Sequence, residues 1–206
     1  MRNVIFILLT LCCCNVFSQT AQESLFFSGI YFYKSCEKVL DVCSGNGLDK
    51  LDTLIRREPN NAGAYFVRGS IYSFRGHGGD AIADFTRVIE LEPNNAGAYF
   101  ARGKLNLILK NDKAIADLSM AIKLEPNNAQ AYSFRGTANV YKKDYKAAIA
   151  DFTRVIELEP NNAQAYIHRG EVKHKLADYK GACLDGSKAL ELEGKDPYGI
   201  IKKYCK

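Results

Sequence analysis

The sequence predicts an all-α solenoid: helix pairs stacked in register and closed at each end by a helical cap. Prolines 59, 93, 126 and 160 are spaced by 34, 33 and 34 residues, inside the range that marks stacked supersecondary units. The block Ala81 to Ala96 recurs unchanged at Ala148 to Ala163. Within each unit the apolar residues follow a helical period, two runs of about a dozen residues joined by a tight turn.

The N-terminus reads as a secretory signal peptide over residues 1–18. Arg2 precedes an apolar run from Val4 to Val16, followed by the small and polar Phe17-Ser18-Gln19-Thr20. That run is shorter than the roughly 20 residues that a membrane-spanning helix needs. Cleavage is expected after Ser18, with Ala21 the second choice. Cys12, Cys13 and Cys14 leave with the signal. Lipoprotein anchoring is disfavoured, because Leu11 stands where a small residue should precede the modified Cys. The expected location is therefore outside the cytoplasm, periplasmic or secreted. Four cysteines remain: Cys36, Cys43, Cys183 and Cys205. In an exported chain an even count allows two disulfides, in any of three pairings.

Residues 22–58 form a degenerate first pair that caps the stack. A helix is expected from about Gln22 to Val42, a turn at Ser44 to Gly47, then a helix with Leu48, Leu51, Leu54 and Ile55 on one stripe. Cys36 and Cys43 stand seven apart, about 10.5 Å along a straight helix. Pairing needs Cα atoms about 4.4 to 6.8 Å apart, so they can join only if the helix breaks between them.

Residues 59–193 hold four repeats, at about 60–93, 94–126, 127–160 and 161–193. Each opens with Asn-Asn, good N-cap residues, after a Pro that stops the preceding helix. The first helix carries Tyr65, Tyr99, Tyr132 or Tyr166. It then carries Arg68-Gly69, Arg102-Gly103, Arg135-Gly136 or Arg169-Gly170. A helical Gly costs about 1 kcal/mol relative to Ala, so four at one phase imply the close approach of a second helix. Turns are expected near Gly76, Asn111, Lys143 and Ala177. The second unit lacks one residue before Ala114, which should alter the turn and leave the helices intact. Second helices run Ala81, Phe85, Val88, Ile89, Leu91 in the first unit and Ala148, Phe152, Val155, Ile156, Leu158 in the third.

From Asn60 to Glu193, about two thirds of the chain, this pattern closely resembles the tetratricopeptide repeat family. The likeness rests on the first-helix Tyr and Gly, the second-helix Ala, the bulky residue four later, the Ala or Val three after that, and the Pro. It implies a right-handed superhelix and a non-catalytic adaptor whose first helices line a concave groove for a protein or peptide. By position the groove is expected to present Phe66, Ser70 and Phe74 from the first repeat, and Phe100, Lys104, Leu107 and Ile108 from the second. Ser133, Thr137 and Tyr141 follow from the third, and Ile167, Glu171, His174 and Lys175 from the fourth. Some relatives clamp a C-terminal carboxylate with Lys and Asn. Here Phe66 and Ser70 stand in those places, so that clamp is not implied. A groove apolar in its N-terminal half and polar at its C-terminal end suits an extended peptide or an amphipathic helix. A second reading is a structural or self-associating component of a cell-envelope assembly. The pattern names neither the partner nor an oligomeric state.

The fourth unit departs at Gly186, which replaces Phe85, Leu118 and Phe152 of the others. An open void there would cost several kcal/mol. Residues 194–206 are expected to fill it as a capping helix from Pro197 to Cys205, with Asp196 and Pro197 as N-cap and N1. Running antiparallel, that helix would bring Cys205 beside Cys183.

Each Arg is followed by an Asp 16, 15, 16 or 16 residues later: Asp84, Asp117, Asp151, Asp185. Recurrence at one phase reads as a structural ion pair within each repeat. Gly76-His77-Gly78-Gly79-Asp80 links helix to helix at a repeat turn, so it is a turn and not a phosphate loop. His168 and His174 do not share a helical face. No zinc spacing, nucleophile elbow or His-Glu-x-x-His is present, so neither catalysis nor a cofactor or metal is indicated. The net charge of +5 is scattered, which argues against a nucleic-acid footprint.

Overall fold

The computed structural model describes residues 47–193 and Cys205. Among these residues it has nine α-helices and no strand. Helix α1 (Gly47–Arg57) precedes four hairpins: α2 (Ala62–Phe74) with α3 (Gly78–Leu91), and α4 (Ala96–Ile108) with α5 (Ala114–Leu124). The third and fourth are α6 (Ala129–Tyr141) with α7 (Tyr145–Leu158), and α8 (Ala163–Lys175) with α9 (Tyr179–Glu193).

The recurring Glu-Pro-Asn-Asn fixes where each hairpin starts. The second Asn caps the helix: the amides of Ala64, Ala98, Ala131 and Ala165 donate to the side chains of Asn61, Asn95, Asn128 and Asn162 at 2.9 to 3.2 Å. The same Asn donates back to the Glu before the Pro, at 2.7 to 3.1 Å. A cap of this kind contributes about 1 kcal/mol to its helix. The Pro sits between, where a missing amide costs nothing.

The turns inside the hairpins share one left-handed residue: Gly76 (φ 80), Lys110 (φ 55), Lys143 (φ 62) and Ala177 (φ 60). In the second repeat this residue is Lys110, one before the expected Asn111. The missing residue there does change a helix, contrary to the sequence expectation. Helices α3, α7 and α9 begin three residues before Ala81, Ala148 and Ala182, whereas α5 begins at Ala114 itself. The chain must cross the same gap with one residue fewer. Residues 112 and 113 are therefore spent on the turn, where the Lys113 amide donates to Asn111 at 3.1 Å. Helix α5 has 11 residues where its equivalents have 14, 14 and 15.

The core is a column of small-against-large contacts. A Cβ added to Gly103 would lie 2.9 Å from Leu118 Cγ, and one on Gly136 would lie 3.0 Å from the Phe152 ring. On Gly69 it would meet Asp84 Cβ at 3.1 Å and Phe85 at 3.2 Å. A Cβ on Gly170 would meet the Ala182 carbonyl and Asp185 Cβ first, both at 3.3 Å, and no bulky side chain as near, because Gly186 replaces that residue. Gly186 is nonetheless buried. The expected capping helix lies outside the described residues, apart from Cys205. The sulfurs of Cys205 and Cys183 meet, with Cα atoms 5.0 Å apart.

Between repeats, α3, α5 and α7 each lie against two first helices. Val88 packs with Ala62 and Ala98, Ile122 with Ala131, and Val155 with Ala129 and Ala165. At the N-terminal end Leu51, Leu54 and Ile55 of α1 cover Ala64 and Val67, as the sequence stripe requires. The preceding helix expected at 22–42, the Cys36–Cys43 pair and the signal segment lie outside the described residues.

Gly103→Ala is expected to destabilise by about 1 to 3 kcal/mol, since the Leu118 side chain has to move. Gly79→Ala, on an exposed helical site with nothing within 4 Å, should instead stabilise by up to about 1 kcal/mol. Urea melts of both variants against the parent chain measure the contrast.

Candidate binding groove

Each first helix carries a Tyr-x-x-Arg-Gly segment, and the Arg is tied in three directions. Its Nε and Nη2 donate as a fork to the Asp of the second helix. The Nη2 distances are 2.7 Å to Asp84, 2.7 Å to Asp117, 2.6 Å to Asp151 and 2.6 Å to Asp185. Its Nη1 reaches back to the preceding helix: Arg68 to Asp52 at 2.7 Å, Arg102 to Thr86 at 3.0 Å, Arg135 to Ser119 at 3.1 Å and Arg169 to Thr153 at 3.1 Å. The Tyr three residues earlier lies under the guanidinium, 5.5 to 5.8 Å from its ring centre. The Asp side chains are only 4 to 7% exposed, so the fork is what keeps four carboxylates satisfied in the core. The hydrogen bond to Asp84 raises the Arg68 basicity further, against the opposing effect of burial and with help from Asp52.

The residue four after each Arg tunes this knot. Asn106 and Asn139 are buried and donate to Asp117 and Asp151 at 2.9 and 3.0 Å. In the fourth repeat Lys173 takes that place, 2.8 Å from Asp185, so this carboxylate faces two cations. The back-reaching acceptors lie 16 residues before each Arg, a spacing that the sequence carries with Asp, Thr, Ser and Thr in the four places.

The expected groove residues separate into three groups. Some belong to the core. Ile167 is 2% exposed and packs on Ala163, Ala182 and Ala189, which removes it from the groove. Phe66 stands edge-on to Phe85, with ring centres 5.4 Å apart. Phe100 is half-buried against Ala121, Ile122 and Ala131, so it serves the joint between repeats as well as the inner face. The sequence placed all three in the groove because their first-helix register is shared; the next repeat decides how far each is covered.

A second group remains on the inner face. Ser133 and Thr137 are half-buried, and the Thr137 hydroxyl donates to the Ser133 carbonyl at 3.0 Å. Lys104 is exposed, with Nζ 5.6 Å over the Phe134 ring. Phe134 was not expected here, yet it meets Phe100 edge-on at 5.6 Å and builds the aromatic centre of this face. His174 is half-buried, edge-on to Tyr179 at 5.3 Å. Helices α4 and α6 touch directly along this face, while neighbouring second helices make no comparable contact.

The third group, Phe74, Ile108 and Tyr141, ends its helices and is 63 to 69% exposed. These side chains stand at the rim and not on the floor. His77 stacks on Tyr72 at 6.0 Å in its turn. Among the described residues no group of three His, Cys, Asp or Glu converges as a metal site, and no helix is long and apolar enough to cross a membrane.

Family models described as TPR repeat and tetratricopeptide repeat match residues 136–176 and 62–95. Among solved structures, the chain is similar to MamA, at 26% identity and TM-score 0.70 over 72% of this chain and 87% of that one. It is similar to the first TPR of Spaghetti (RPAP3), solved bound to an HSP90 peptide, at 30% identity and TM-score 0.55, covering 56% of this chain and 93% of that one. YrrB, described as a TPR protein with an unusual peptide-binding site, shares the fold at 19% identity and TM-score 0.71, over 84% of this chain and 88% of that one. No curated protein matches the sequence significantly.

Arg102→Met strands the buried Asp117 carboxylate and is expected to cost about 3 to 5 kcal/mol. Adding Asp117→Asn, which removes the charge and keeps an acceptor for Asn106, should return much of that loss. Denaturant melts of the two variants read the coupling. A loss under about 1 kcal/mol for the single change would make the pair ornamental.

Proposed function

The chain belongs to the tetratricopeptide repeat family, and on that premise we propose that it is a non-catalytic interaction module holding an extended peptide of a partner protein along its inner face. The observation that carries this reading is the centre of that face. The Phe100 and Phe134 rings form a half-open aromatic floor with Lys104 above one ring and Ser133 and Thr137 beside it. Such a floor takes an apolar side chain, and the Lys takes a neighbouring carboxylate. Spaghetti's HSP90 peptide is the precedent for a peptide seated on repeats of this kind.

The same reading includes export, with residues 1–18 removed, and a disulfide between Cys183 and Cys205. The short apolar N-terminus supports the first. The Cα separation of 5.0 Å supports the second, and structural bonds of this kind are found mainly in oxidising compartments. Intact mass with and without reductant, followed by peptide mapping of chain recovered from outside the cytoplasm, is expected to show the Cys183–Cys205 link. Free thiols at both positions would end that part of the proposal.

Selection from a displayed library of random linear peptides should return sequences that bind the parent chain and bind Lys104→Glu about tenfold more weakly, at an unchanged melting temperature. Peptides indifferent to that change would move the site off the inner face.

A further inference from the structure

The four turns inside the hairpins form one continuous edge of the stack. The side chain of Leu109, in the second turn, reaches within 3.3 Å of the Cβ position of Gly78 in the first. Lys142, in the third, pairs with Asp112 in the second. Of the seven large apolar side chains that are exposed among the described residues, six stand on this edge: Phe74, Ile108, Leu109, Tyr141, Leu176 and Tyr179, at 46 to 69%. The opposite edge, where Glu-Pro-Asn-Asn joins one repeat to the next, has none among the described residues.

Charge divides the same way. Residues 75–80, 109–113, 142–146 and 175–180 hold eight Lys or Arg against four Asp. The acids are engaged locally. Asp144 and Asp178 accept the amides of Ala147 and Gly181, Asp112 pairs with Lys142, and Asp80 lies 3.6 Å from His77. The basic side chains are exposed. The result is a row of protruding turn tips, each with an apolar side chain flanked by cations. Protruding aromatic and aliphatic groups beside long basic stems match the headgroup layer of a bilayer, where rings enter the interface and ammonium groups reach the phosphates.

We propose that this edge seats the protein peripherally on an anionic bilayer surface, with Ile108, Leu109 and Tyr141 entering the headgroup layer and the flanking lysines lying over lipid phosphates. The surface is separate from the inner face, so the two readings stand or fall independently.

The chain contains no Trp, which permits a site-specific test in the full-length protein. Ile108→Trp and Tyr141→Trp place single reporters on the edge, and Asn127→Trp places one on the opposite edge. With phosphatidylcholine vesicles containing about 30% phosphatidylglycerol, emission at 108 and 141 should shift to the blue and be quenched by brominated acyl chains. Emission at 127 should not change, and pure phosphatidylcholine should leave all three unchanged. Lys110→Glu, Lys143→Glu and Lys180→Glu should each weaken vesicle binding about fivefold without moving the melting temperature. Lys104→Glu, on the inner face, should leave vesicle binding unchanged. Binding that carries the protein to vesicles while the reporters at 108 and 141 stay unshifted would overturn the proposal, because the apolar run near the N-terminus would then be the anchor. So would no vesicle binding at all, charge reversals without effect, or the same shifts with polyglutamate and none with vesicles, which would make an acidic polypeptide the partner.

Discussion

One guanidinium per repeat ties the structure together. Arg68, Arg102, Arg135 and Arg169 each bind the Asp of their own second helix and an oxygen on the helix before. The pairing alone would close a hairpin. The third bond links that hairpin to the preceding helix and so sets how the two sit. Only a planar fork with donors on two sides can serve both partners at once; a Lys ammonium lacks that geometry. The Gly after the Arg completes the constraint. It lets the second helix approach until Phe85, Leu118 or Phe152 stands 2.9 to 3.2 Å from where a Cβ would be.

Identical knots would give identical repeats, and the variation lies in what surrounds them. Asn106 and Asn139 add a neutral donor to Asp117 and Asp151, whereas Lys173 adds a second cation to Asp185. The fourth repeat also trades its bulky second-helix residue for Gly186, and its Cys183 meets Cys205 from the C-terminal segment. Among the described residues, the fourth repeat thus differs from the others in a second cation at its carboxylate and in a sulfur contact to Cys205.

The same geometry divides the surface by chemistry. Helices α4 and α6 bring Phe100, Phe134 and Lys104 together on one face. Turns within hairpins collect exposed apolar side chains and lysines on one rim. Connections between hairpins carry the Glu-Asn caps, whose acids are held by the asparagines they orient.

By itself the sequence determined whatever repeats every 33 or 34 residues: the helix pairs, the Asn caps, the Arg–Asp spacing and the glycines that admit a second helix. These are local or fixed-offset features, and a period exposes them. Tertiary structure alone decided what a neighbour covers. Phe66, Phe100, Ser133 and Ile167 occupy equivalent first-helix positions, yet Ile167 is core, Phe66 and Phe100 are half-covered and Ser133 remains on the inner face. The register names the direction in which each side chain points, but its burial depends on the volume of the residues stacked against it from other helices. The shortened α5 has the same origin: the gap to be crossed is set by packing on both sides, so a deleted turn residue was made good from the helix.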